Sequence, residues 1–170
     1  MSKFVDAMVG AKIPFIDSRI KNIVYFTSNF QLDVRLIKLF EMCFWALAEQ
    51  LESEDLLDKK VPYVTCLALN NDMFTIQLDE NQLGMITALA VYPIYRWNGF
   101  LDNIVCTCIL EELCHCLWCI RDEVEVNFKV FEIMKRIYPK IKMRDLYNVE
   151  WMNEELKKQG KTPIDFDDAQ

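Results

Sequence analysis

Tyr63-Val64-Thr65-Cys66-Leu67-Ala68-Leu69, then Asn70-Asn71-Asp72, then Met73-Phe74-Thr75-Ile76-Gln77-Leu78, is the stretch on which the fold turns. Both flanks are rich in β-branched and apolar residues, and the Asn-Asn-Asp between them is turn chemistry. It reads as two strands joined by a tight turn, and so as an antiparallel pair. A second turn, Asp79-Glu80-Asn81-Gln82, leads to the apolar run 85–92. That run suits a buried strand or a short helix, and Pro93 ends it either way.

On the N-terminal side, residues 23–27 (Ile-Val-Tyr-Phe-Thr) read as a strand. Asn29 or Asp33 can cap the next element, a helix from 33 to about 52. Its apolar positions Leu36, Leu39, Phe40, Cys43, Phe44, Leu47 and Leu51 recur at helical spacing. On the C-terminal side, Asn98-Gly99 punctuates and a long helix follows to about 120. Arg121-Asp122 breaks it, and helical periodicity returns over 123–137 until Pro139. A last amphipathic helix spans 149–158, and Gly160 ends it. This order predicts an α+β fold, with helices on one face of a small, largely antiparallel sheet. A single domain is expected over 1–160, with 161–170 as an acidic, flexible tail.

Bulk properties narrow the function. The chain of 170 residues is 52% hydrophobic and 26% charged, which is globular rather than disordered. Its formal net charge of -7 argues against a nucleic-acid partner, because such affinity rests on clustered Lys and Arg. The densest basic stretch, Lys135-Arg136 with Lys140, Lys142 and Arg144, is short and flanked by acidic segments. Segment 100–120 has the length of a membrane span, but Asp102, Glu111, Glu112 and His115 count against a membrane role. Seven cysteines, an odd number, follow an N-terminus without a sustained apolar run. Reduced thiols and a cytoplasmic location are therefore expected.

The candidate chemistry lies in Glu111-Glu112-Leu113-Cys114-His115, which holds the only histidine. Carboxylates and an imidazole in an apolar helix are costly unless paired, protonated or bound to metal. Glu111 and His115, four apart, project from one helix face, and Glu112 points roughly 100° away. Ligands at i and i+4 can grip one metal ion.

The pattern Glu111-Glu112-x-x-His115, followed by a helix opening Glu123-Val124-Glu125-Val126-Asn127, resembles the zincin-like metallopeptidases. It is closest to the gluzincin-type group, whose third ligand is a glutamate on the next helix. The resemblance covers about residues 100–139, and the meander upstream fits the small core it implies. It implies Glu111 in place of the first histidine ligand, His115 as the second and Glu123 as the third. Glu125 is the alternative third ligand if the register slips. It also implies Glu112 as the general base that activates water against a peptide carbonyl.

Because Glu111 stands where the family has histidine, the implied set is two carboxylates and one imidazole. Zinc accepts such ligands, but the extra oxygen donor moves the preference toward manganese or iron. The added negative charge also weakens the metal as a Lewis acid. The expectation is a metal-dependent peptide hydrolase with an altered or degenerate site, or a scaffold that holds no metal. The competing class is a non-catalytic binding or inhibitor protein on the same scaffold. It would meet a peptide or protein partner through Trp97, Trp151 or the acidic tail. A structural oligomer is a third class.

Plainer readings stand beside these. His115 could be a buried imidazole bonded to Glu111, and Glu123 and Glu125 could simply favour a helix N-terminus. Asp122-x-x-Glu125 fits a capping box. Glu112-x-x-His115 matches half of a di-iron carboxylate motif, which needs a second histidine. Cys108, Glu112, His115 and Cys119 lie along one stripe, but one straight helix cannot close a tetrahedron around zinc. A cysteine nucleophile paired with His115 would have to come from elsewhere in the chain, such as Cys43 or Cys66. The thiols otherwise read as small apolar core residues.

Overall fold

The computed structural model describes residues 12–57, 61–72 and 88–166. Strand β1 (Val24–Ser28) leads to helix α1 (Val34–Ser53), then strand β2 (Val64–Leu69) and strand β3 (Ala88–Pro93). Helices α2 (Asp102–Leu117), α3 (Glu123–Ile137) and α4 (Val149–Lys158) follow. The helices start where the local chemistry allows. The Asp33 carboxylate accepts from the Leu36 amide at 2.8 Å and opens α1. Asp122 does the same for Glu125 at 2.9 Å and opens α3. Asn29, the other candidate cap, instead ties strand ends together, accepting from the Asn70 amide at 3.1 Å.

The sheet corrects the expected topology. The described strands lie in the order β1-β2-β3 and both pairs are parallel, not antiparallel. Phe26 stands opposite Cys66, and Cys66 opposite Ala90. Parallel neighbours cannot be joined by a hairpin and need a crossover of a dozen residues or more. Between β1 and β2 that crossover is α1. The small antiparallel core implied by the zincin resemblance is therefore absent from the described sheet. The expected partner strand, 73–78, and the turn 79–82 lie outside the described residues. Asn70-Asn71-Asp72 does turn the chain at the end of β2, but the strand that pairs with β2 is β3.

Side-chain burial gives the physical reason. All six residues of β2 are buried, Leu67 and Leu69 on one face as completely as Val64, Cys66 and Ala68 on the other. A strand covered on both faces reads as a continuous apolar run, which is typical of central parallel strands. Phe26, Phe40, Phe44, Tyr92 and Trp97 interlock between sheet and helices. The Phe26–Phe40 centroids are 4.9 Å apart, edge to face, and those of Phe40 and Tyr92 are 5.2 Å apart. Such pairs add roughly 0.5–1.5 kcal/mol each beyond the area they bury. Trp97, offered as a surface contact, is 7% exposed and belongs to this core.

A smaller apolar cluster gathers Val124, Met143, Val149, Met152, Leu156 and Phe166. Phe166 comes from the segment expected to be a flexible tail. Its ring stacks on Phe128 at 6.0 Å, and Asn153 pairs with the Ile164 backbone.

Candidate metal centre

Helix α2 stops at Leu117, short of the expected 120, and the Trp118 amide closes the last turn on the Cys114 carbonyl. Cys119 then takes the left-handed conformation, with φ of 55°. That reversal swings the backbone back along the helix. The Ile120 carbonyl oxygen comes to lie 2.7 Å from Nδ1 of His115. A carbonyl only accepts, so Nδ1 carries the proton and Nε2 is the free nitrogen of the neutral ring. Glu123, the first residue of α3, places a carboxylate oxygen 3.8 Å from that Nε2.

The geometry thus brings together the three residues named as candidate ligands. One donor atom each from Glu111, His115 and Glu123 lies within 4.8 Å of the others. Among the described residues this is the group of His, Cys, Asp and Glu compact enough to hold an ion. Glu125, the alternative third ligand, is exposed and outside the group. The plain pairing of His115 with Glu111 is not the one formed, since the ring bonds Ile120 and faces Glu123.

The electrostatics are unfavourable without a cation. Burial raises the pKa of Glu111, and the negative charges of Glu123 and Glu112 raise it further, against an opposing effect from His115. Glu112 opens to solvent at the helix surface, yet the packed atoms around its stem still raise its pKa. His115 acts on it in the opposite sense, and Glu123 adds to the rise. Three carboxylates thus crowd one imidazole whose side chain is 26% exposed. A divalent ion would relieve that repulsion.

The cysteines do not join the centre. All seven are free thiols. Burial pushes Cys108 and Cys116 up to about 11 and Cys66 to about 12, so they remain protonated at neutral pH. Cys43 sits against the Cys106 carbonyl at 3.8 Å, and Cys66 against the Tyr92 hydroxyl at 3.8 Å. Neither supplies a nucleophile to His115.

Three features escaped the sequence reading. The Ile120 carbonyl is one, and Tyr147, beside the α2 stripe that carries Glu111, is another. The third is a polar network in which Gln50, 1% exposed, donates to Glu132 and accepts from Arg136. Lys129 bridges Glu54 at 2.7 Å and Glu132 at 2.9 Å, and the Trp118 indole donates to Glu54 at 2.7 Å. Apart from Lys129–Glu132, three apart on α3, no sequence spacing announces these contacts, because they join residues distant in the chain. A broad groove of about 1140 Å³ lies near the other end of α2, between Arg35, Phe100, Asp102, Tyr138 and Ile141, away from the candidate ligands.

Comparison with protein-family models, with curated proteins and with solved structures finds no match to this chain. No helix among the described residues is long and apolar enough to cross a membrane.

Proposed function

We propose that the protein binds a divalent transition metal through Glu111, His115 and Glu123, and uses the centre for hydrolysis with Glu112 as general base. The observation that carries this reading is the anchored imidazole. Nδ1 is held by the Ile120 carbonyl, and Nε2 is left free with a Glu123 carboxylate oxygen 3.8 Å away, in a group that Glu111 completes. Metal-binding histidines are characteristically oriented this way by a partner on the second nitrogen. Two carboxylates and one imidazole suit manganese or iron as well as zinc. The bound ion would supply Lewis acidity. Glu112, exposed to solvent and with a pKa raised by burial of its stem, is a carboxylate that can exchange a proton with water. A peptide bond is the substrate that the zincin-like motif suggests.

A second reading is a binding protein that acts through surface contacts. The observation favouring it is a set of exposed large apolar side chains on the outer face of α1, Met42 at 36% and Trp45 at 46%, with Trp151 at 39% on α4.

Calorimetric titration with Mn²⁺ and Zn²⁺, on parent, His115→Ala and Glu112→Gln, separates the two. Saturable binding in the parent and in Glu112→Gln, lost in His115→Ala, establishes the centre. Turnover of a fluorogenic peptide library by the loaded parent, lost in Glu112→Gln, then assigns hydrolysis. An absence of binding leaves the contact-surface reading.

A further inference from the structure

Helix α1 buries one face in the core and leaves the other bare. On the bare side, positions 35, 38, 42, 45, 49 and 52 recur at alternating steps of three and four. That is the spacing of a seam between two paired helices. Glu49 is half-buried and the others are exposed. The middle of the seam is apolar, with Met42 36% and Trp45 46% exposed. Phe15 adds an exposed ring beside it, and its amide donates to Glu41 of α1 at 3.0 Å. Large apolar side chains gathered on one exposed face mark a contact surface.

The charges along the seam indicate what covers it. Arg35 and Lys38 lie on the N-terminal side of Met42 and Trp45, and Glu49 and Glu52 on the C-terminal side. Arg35 is already held by Asp102 at 2.7 Å. The Lys38 side chain has no ion-pair or hydrogen-bond partner among the described residues. At the other end a single cation, Arg19, meets Asp17, Glu49 and Glu52, so that end stays net negative. Arg19 takes only Oε1 of Glu49. A seam that is positive at one end, apolar in the middle and negative at the other is complementary to itself turned end for end. A two-fold axis between Met42 and Trp45 sets Met42 against the partner's Trp45 and Lys38 against the partner's Glu49. A parallel pairing would set like charges opposite each other, which disfavours it.

We propose that α1 pairs antiparallel with α1 of a second copy of this chain, through Met42, Trp45 and the two crossed Lys38–Glu49 contacts. Self-complementary two-fold contacts of this kind are the commonest in soluble oligomers. The inference gives the contact-surface reading above a definite partner and rests on that reading; it does not depend on the metal. Helix α1 has 20 residues and is about 30 Å long, which places the interface at the small end of specific interfaces, roughly 1,200 Å² in total. The dimer is accordingly one that dissociates on dilution.

The test is sedimentation velocity over a dilution series, with chelator present, on the full chain as parent, Trp45→Glu, Lys38→Glu and Glu49→Lys. The parent is expected to pass from dimer to monomer on dilution. Trp45→Glu, at the centre of the seam, should weaken association by more than about tenfold. Lys38→Glu and Glu49→Lys should each weaken it by about tenfold, because both crossed contacts become like-charged. An equimolar mixture of those two variants should associate as the parent does, because each crossed contact again joins opposite charges. Misfolding cannot mimic that recovery. A dimer indifferent to Trp45→Glu, or a mixture no stronger than its components, overturns the inference. A parent that stays monomeric also overturns it, and beads carrying parent or Trp45→Glu then separate it from the reading beneath. A lysate protein held by the parent beads alone leaves the contact-surface reading with another occupant, and retention by neither removes that reading as well.

Discussion

His115 Nδ1 and the carbonyl oxygen of Ile120 lie 2.7 Å apart, across the turn that ends α2. The turn therefore does two jobs. It stops the helix, and it selects the imidazole tautomer that leaves Nε2 free, with a Glu123 carboxylate oxygen 3.8 Å from it. Its cost sits at Cys119, a residue with a β-carbon held at φ of 55°.

Cys119→Gly should remove that cost. Glycine adopts the left-handed region freely, and the exposed thiol makes only a long contact to the Cys116 carbonyl at 3.8 Å. A gain of about 0.5–1 kcal/mol in urea unfolding is expected, the net of relieved strain and glycine's greater unfolded-state entropy. Metal affinity should stay unchanged, because the thiol is no ligand. A variant that loses metal binding would place the sulfur in the centre.

Glu111 links stability to pH in a direction that a metal reverses. Its pKa and that of Glu112 are raised in the fold above the ordinary 4.5. The folded chain then holds protons that the unfolded chain has released. The stability from these two groups is complete below pH 4.5 and is lost as pH rises through the raised values. In chelator at neutral pH, Glu111→Gln should therefore unfold at a higher urea concentration than the parent, by the equivalent of about 0.5–2 kcal/mol. Measured from about pH 5 to 7, the parent's Mn²⁺ affinity should rise with pH, because Glu111 must give up the proton that burial helps it hold before it can ligate. A flat calorimetric profile over that range would count against an ionised ligand set.

Lys129 holds the network between α1 and α3. Burial opposes ionisation of Glu54, but hydrogen bonds from Lys129, Gln50 and Trp118 outweigh it and keep the Glu54 pKa below the ordinary 4.5. Lys129→Met keeps the stem but strands Glu54 and Glu132 without their cation. The side chains of Lys129 and Glu54 are 20% and 26% exposed. The expected loss is accordingly about 2 kcal/mol, below the ~3–5 kcal/mol of a fully buried broken pair. Because the Glu54 pKa is lowered, this stability is present above pH 4.5 and fades as pH falls through the folded value. Urea midpoints of parent and variant should therefore converge in acid.

Leu67 reports directly on strand direction. In an antiparallel meander with one wet face, alternate residues of this strand would face solvent, and polar substitutions there would be mild. In the parallel sheet Leu67 is 1% exposed, as secluded as its neighbours Cys66 and Ala68. Leu67→Ser and Cys66→Ser should both destabilise, with Leu67→Ser costing about 2–5 kcal/mol. Thermal unfolding that shows one position tolerant and the other not would contradict two-sided burial.

Much of the helical part was legible in the chain itself. Residues 123–137 and 149–158 are the helices that periodicity marked out, and α1 begins after its Asp33 cap. Helical hydrogen bonds and caps join residues a turn apart, so their signals are local. For the same reason the neighbourhood of Glu111 and His115 follows from a spacing of four along one helix. The placement of Glu123 needed the turn at 118–122 and was suggested only by its position at the start of the next helix.

Strand direction was another matter. The run Val64–Leu69 has the same composition whichever way its partners run, and a pair of strands is fixed by residues distant in sequence. The Asn70-Asn71-Asp72 turn signalled a reversal of the chain but did not name the strand that would pair with β2. The Ile120 carbonyl beside His115, the lone hydroxyl of Tyr147 and the Gln50–Lys129 network were likewise decided in three dimensions. By itself the sequence determined the helices and which side chains share a helix face, because those depend on backbone geometry repeated every few residues. Only the tertiary structure decided the sheet and the surroundings of each polar group, because these depend on which distant segments exclude water together.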